Sequence, residues 1–392
     1  MKTASRVAVT VALVMTLFFM FLVPVSAEGD VTVPAAETEA LTLPQSYSDL
    51  ADALPDDLIS LCPDGLFSES ANEAMDAVGE MTGWRYFLRA LLRALGLEWE
   101  GTVGLLLSLI GLLLLAAIFS RAQAALVGSS VGDLCGFCLR LCLYVAIASQ
   151  TAGLVLEVET FMTRLARLAE GMLPTMGVLY ALGGNIGQAA VNEELLLLFL
   201  ALCTAMASYL TPPLCGLCMA ASLSEALGTH LSLSAVADRA KRWYTGALGL
   251  VMFLLSLSLS MQSVLVSRAD TLGMRGVKYV VGNLVPIVGG ALAGTLGTVS
   301  AGISLLRGVS GTAGVVLTLL LLLPTLVRLL LGRSILHIAE TVATLLGCGG
   351  EAKLLGEMAS LYGYLAAASC LVSVVFLLAL GIFIHGGVAV LG

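Results

Sequence analysis

The chain has 392 residues, 58% of them hydrophobic and only 12% charged, with a mean hydropathy of +0.99. Soluble domains carry about a quarter charged residues, so a water-soluble enzyme or binding module is excluded and the expected fold is all-α, a polytopic helical membrane protein. The net charge of −8 leaves no basic footprint for nucleic acid.

Residues 1–27 have the form of a signal peptide. Lys2 and Arg6 make a basic start, residues 7–23 an apolar core, and Val25-Ser26-Ala27 a small-residue cleavage site, with cleavage expected after Ala27. Residues 28–82 form an acidic segment: from Glu28 to Trp84 there are thirteen acidic residues and no Lys or Arg, punctuated by Pro34, Pro44, Pro55 and Pro63. Such a stretch buries little apolar surface and is expected to be in part a loose, extracytoplasmic tail. In residues 83–100, Arg85, Arg89 and Arg93 line one helical face and Phe87, Leu88, Leu91, Leu92 and Leu95 another. That pattern fits an amphipathic helix at the membrane interface or the solvated face of a packed one.

Residues 101–156 hold the first two expected transmembrane helices, and further apolar runs follow at 195–210, 244–266, 311–331 and 361–385. Between them, residues 267–314 are long enough to span yet carry Pro286 with Gly282, Gly289, Gly290, Gly294, Gly297 and Gly302. Unpaired backbone is costly in hydrocarbon, so this stretch reads as a tightly packed kinked span or as a re-entrant element lining a path. Residues 172–184, with Pro174 and Gly177, repeat the pattern. Pro174 and Pro286, Gly177 and Gly289, Ala181 and Ala293, and Pro212 and Pro324 are each 112 positions apart. An internal repeat of two Pro/Gly-interrupted units, residues 157–266 and 267–392, is therefore expected, with Pro174, Gly177, Pro286, Gly289, Gly290, Gly294 and Gly297 as the candidate path or packing element.

Nothing points to catalysis, a metal or a cofactor. Cys135, Cys138 and Cys142, and Cys215 with Cys218, have ligand-like spacing but sit in or beside apolar runs without the polar partners thiolates need, so they read as packing residues. Gly308-Val309-Ser310-Gly311 matches an intramembrane protease pattern by chance in a Gly- and Ser-rich chain, with His337 and His385 downstream. Arg140 and Arg328, within apolar runs, are either functional charges or snorkelling ones.

Ala269-Asp270, residues 274–279 (MRGVKY), residues 283–290 (NLVPIVGG), residues 298–302 (TVSAG) and residues 305–308 (LLRG), with Gly311, Gly314 and Pro324, resemble the stage III sporulation protein AE family of endospore formers. The resemblance implies a non-enzymatic membrane component of a channel-like complex between mother cell and forespore, needed for late forespore gene expression. It implies partners among the other stage III A-operon proteins, an indirect link to stage II sporulation protein Q, contact with membrane lipids, and a place in the mother-cell membrane around the forespore. A secondary transporter (permease) and a scaffold without a path are the alternatives.

Overall fold

The computed structural model describes residues 42–48, 50–51, 54, 59, 62–125, 130–182, 186–226, 235–251, 253–254, 257 and 289–385. The expected cleavage site, Pro286 and residues 267–288 of the 267–314 stretch lie outside the described residues. Among the described residues the fold is helical, and the pairing of Thr42 with Ser70 is an isolated bridge rather than a strand. In chain order the elements are α1 (Gln45–Ser48), α2 (Ala71–Thr82), α3 (Trp84–Ala125), α4 (Ser130–Leu182), α5 (Ile186–Ala205), a π turn (Met206–Leu210), α6 (Thr211–Ala226), α7 (residues 235–251), α8 (Gly289–Leu346) and α9 (Gly349–His385). Among the described residues, five helical stretches are long and apolar enough to cross a membrane: Trp84–Phe119, Gly136–Leu182, Leu197–Ser224, Gly302–Leu346 and Gly349–Gly381.

The core is an antiparallel hairpin of α8 and α9. Gly347 makes the reversal at φ +81°, where only glycine sits without strain. The Cys348 N–H donates to the Ala343 carbonyl at 2.9 Å and the Gly347 N–H to that of Thr344 at 3.2 Å, which closes the end of α8 with a Schellman pair of bonds. A Cβ at Gly347 would meet nothing within 4 Å, so substitution there tests backbone strain alone. Gly347→Val should cost about 1–2 kcal/mol in unfolding titrations, whereas Gly349→Val, at ordinary φ and also with open space, should cost only a few tenths. Equal effects would refute a strained turn.

Down the hairpin the two helices mesh through small residues. Gly311 receives Ile384, Gly332 the Tyr362 ring, Gly356 the Glu340 carboxylate and Gly363 the Arg333 guanidinium. α4 packs antiparallel to α8, because Leu154 reaches Gly332 while Met172 reaches Gly314. It runs parallel to α9, because Arg140–Glu351 and Thr151–Tyr362 are both separated by 211 positions. The three registers are mutually consistent, which fixes α4, α8 and α9 as one bundle. α3 runs parallel to α8 and so antiparallel to α4, because Gly101 and Leu105 share a cavity with Arg328 and Ile335 while Arg121 lies near Cys348, just past the end of α8. α5 and α6 pack on α4, and α6 also on α9.

Residues 308–327 of α8 and 358–384 of α9 are uncharged and face each other. The α8 part alone is about 30 Å long, the thickness of a hydrocarbon core. α4 and α8, of 53 and 58 residues, are about 80 and 87 Å long. They exceed one bilayer core by far.

The architecture bears on three of the expected segments. α3 crosses the boundary at Gly101 without interruption, so the amphipathic residues 83–100 are the first part of a 42-residue helix. α4 passes through Pro174 unbroken, so residues 172–182 end a long helix and form no separate re-entrant element. The internal repeat is not confirmed among the described residues: Pro212 follows a π turn at a helix junction, whereas its counterpart Pro324 lies deep inside α8.

The described part of the acidic segment is folded rather than loose. Leu43, Tyr47, Leu50, Leu54 and Leu66 are buried, and α2 turns Ala71, Ala74, Ala77, Val78 and Met81 inward. α1 packs on α4 and α2 on α8. Cys62 is half-buried there, and burial pushes its thiol up to about 11. At pH 8 roughly one molecule in a thousand is then thiolate, the form that alkylates. Maleimide labelling of Cys62 should be about a hundredfold slower than for an ordinary exposed thiol and should rise tenfold per pH unit between 7 and 9. Fast, pH-independent labelling would contradict the burial.

Candidate functional site

The candidate residues do not converge on one visible site. Pro174 is exposed on α4 with Gly177 one turn later, and a Cβ at Gly177 would meet nothing within 4 Å. Gly289, Gly290, Gly294 and Gly297 lie in the first turns of α8, while Pro286 is outside the described residues. Cys215 and Cys218 are buried on α6, as packing residues would be, and Cys138 and Cys142 are exposed on α4. Ser310 is buried and donates to the Leu306 carbonyl at 2.9 Å. His337 is on the same helix, about 40 Å further along, so these two groups cannot form a nucleophile–base pair.

What the fold does assemble is a set of polar ties between helices. Arg140 Nε donates to Glu351 Oε1 at 3.0 Å, linking α4 to α9. Arg328 Nη1 donates to Glu157 Oε2 at 2.6 Å, linking α8 to α4. Lys241 Nζ, fully buried, donates to Glu357 Oε2 at 2.7 Å and so ties α7 to α9. Both arginines that stood out in the sequence thus have carboxylate partners. Those partners are 211 and 171 positions away, a pairing that no local pattern could show. Tyr hydroxyls add two more ties, Thr151 with Tyr362 at 3.1 Å and Thr211 with Tyr244 at 2.9 Å.

A fourth cation closes the far end. Arg307 is fully buried, donates from Nη2 to the Leu179 carbonyl at 3.0 Å, and stacks 4.7 Å from the centre of the Tyr180 ring. Tyr180 in turn meets Phe383 edge-on at 5.3 Å. Backbone acceptor and aromatic face spread the charge of this fully buried guanidinium. The Arg307 and Arg328 ties bracket the uncharged belt of α8, about 31 Å apart along the helix.

Beside the Arg328 tie lies a cavity of about 260 Å³ between α3, α4, α8 and α9. Thr102, Gln150, Arg328 and Tyr362 supply its polar wall and Gly101 and Gly332 the room. That is space and polarity enough for several ordered waters. Chemically the cavity can hold water or a small polar species.

Comparisons with known proteins agree on the kind of molecule. The family model described as stage III sporulation protein AE matches residues 69–387. The protein named "Stage III sporulation protein AE" of Bacillus subtilis (strain 168) is 22% identical over 216 residues. That match covers 55% of this chain and 54% of the relative, so the alignment spans about half the length of each. No solved structure matches. With the family model matching nearly the whole helical bundle, the chain belongs to the stage III sporulation protein AE family.

Proposed function

We propose that this chain is a non-enzymatic integral membrane component of the channel-like complex joining mother cell to forespore, required for late forespore gene expression during endospore formation. The observation that carries the reading is the family match over residues 69–387, which coincides with the bundle built on the α8–α9 hairpin. In this reading the protein sits in the mother-cell membrane around the forespore. It works beside the other stage III A-operon proteins and, through them, stage II sporulation protein Q.

Charge supports an orientation. Arg121 and Arg140 lie near Cys348 at the hairpin turn, and Lys241 joins α9 close by, so basic residues gather at that end. Because α3 runs parallel to α8, its start at Trp84 and the acidic segment before it lie toward the other end. The basic end faces the cytoplasm in this proposal and the acidic end the opposite side.

The test is co-purification of tagged full-length protein from sporulating cells. Stage III A-operon proteins should be recovered, and a strain lacking this chain should lose late forespore gene expression. Recovery of the chain alone, with normal spores in its absence, would overturn the reading. The polar cavity keeps a transporter as the second reading, which requires substrate uptake by vesicles containing this chain and nothing else.

A further inference from the structure

α4 and the α5–π-turn segment enclose a lateral groove of about 640 Å³. Its wall includes Arg167 and Glu170 from α4 and Thr204, Ser208 and Tyr209 from the other side. Two prolines alter the backbone of that wall. Pro174 has no N–H for the Glu170 carbonyl one turn earlier, and Pro212 has none for the Ser208 carbonyl. Pro213 removes the next donor as well. The strand of hydrogen bonds resets through the π turn, where the Thr211 N–H reaches the Met206 carbonyl instead. Both proline-freed carbonyls therefore belong to residues of one groove.

The groove also carries two exposed charges. Among the described residues neither Arg167 nor Glu170 has an ion pair or a side-chain hydrogen bond, although they are one helical turn apart. Their height matters. Met172 of α4 meets Gly314 of α8, so this part of α4 lies level with the uncharged belt. Leu197, Leu198, Leu202 and Leu210 are exposed on the flanking helix face. Charges without an ion-pair partner at that depth are costly unless a partner covers them.

We propose that this groove is a self-association surface, in which Arg167 of one copy enters the groove of a second and the second returns the contact. The chemistry is self-complementary. The residues lining the groove include Glu170, whose carboxylate only accepts, and Arg167, with five N–H donors and no acceptor. Each copy supplies what the other lacks, which is the requirement of an isologous contact. Arg167 to Glu170 between copies satisfies both charges, whereas a purely apolar partner helix or lipid tail satisfies neither.

The test uses the full chain in detergent, with oligomeric state read by native mass spectrometry and sedimentation. The wild-type protein should dimerise or form a higher closed assembly. Arg167→Glu makes the groove doubly acidic and Glu170→Arg makes it doubly basic, so each alone should weaken self-association about tenfold or more. Mixed together, these two variants should associate with each other. Repair within one chain cannot produce that result. The neutral pair Arg167→Gln with Glu170→Gln carries no misplaced charge and should be folded and monomeric, which separates lost association from lost fold. A monomeric wild type, or reversal variants that fail to associate when mixed although each is folded, would overturn the proposal.

Discussion

Replacing Glu357 with alanine should destabilise the bundle by about 3 kcal/mol, at the low end of the 3–5 kcal/mol found when one member of a buried ion pair is removed. The low end applies because the Glu357 side chain is 27% exposed, although that of Lys241 is 0% exposed. Without Glu357, Lys241 keeps only Asp238, at 3.4 Å and half in the open. A desolvated ammonium is then left nearly alone between α7 and α9. The double variant Lys241→Met with Glu357→Leu removes both charges and should lie within about 1 kcal/mol of the wild type, since buried pairs gain little over well-packed apolar residues. The cycle is closed by the single variants Lys241→Met and Glu357→Leu, the latter leaving the same unpaired ammonium as Glu357→Ala, and its coupling energy should be about 2 kcal/mol or more. Reversible unfolding of the four proteins in mixed detergent measures it. A Glu357→Ala protein as stable as the wild type would mean the contact is a surface pair of little consequence.

Much of the fold was legible in the sequence because hydrophobic composition alone enforces it: in lipid, the backbone must satisfy itself, and helices do so locally. The length of the helices was less legible. Pro174 looked like a break, yet a single proline forfeits one hydrogen bond, and the freed Glu170 carbonyl lies beside a groove where it need not be buried unpaired. The folded acidic segment did carry a signal. Leu43, Tyr47, Leu50 and Leu54 recur at helical spacing, as do Ala71, Ala74, Val78 and Met81, and the charge between them masked that periodicity. The polar ties are a different case. Arg140 and Arg328 could be singled out from their apolar surroundings, but Glu351 and Glu157 could not be assigned to them, because only the register of α4, parallel to α9 and antiparallel to α8, brings them together.

The same register decides which glycines hold helices together. Gly332→Leu should cost about 3 kcal/mol, the upper part of the range for overpacking. A Cβ at Gly332 would lie 2.9 Å from Tyr362 Cε2 and 3.1 Å from Cδ2. The ring cannot simply swing away, because its hydroxyl is engaged by Thr151 at 3.1 Å and the residue is 2% exposed. The α8–α9 crossing must open, and the 260 Å³ cavity that both residues line must change shape with it. Gly332→Ala adds one carbon at the same place and should cost about half as much. Gly177→Leu is the informative contrast. Gly177 stood among the expected packing residues, yet its Cβ would point into open space, and leucine is the better helix former by roughly 0.8 kcal/mol. That variant should be at least as stable as the wild type. Thermal unfolding in detergent reads the three differences, and spore yield reads their consequence: Gly332→Leu should sporulate poorly and Gly177→Leu normally. If the two leucine variants behaved alike, close packing at Gly332 would not be what joins α9 to α8.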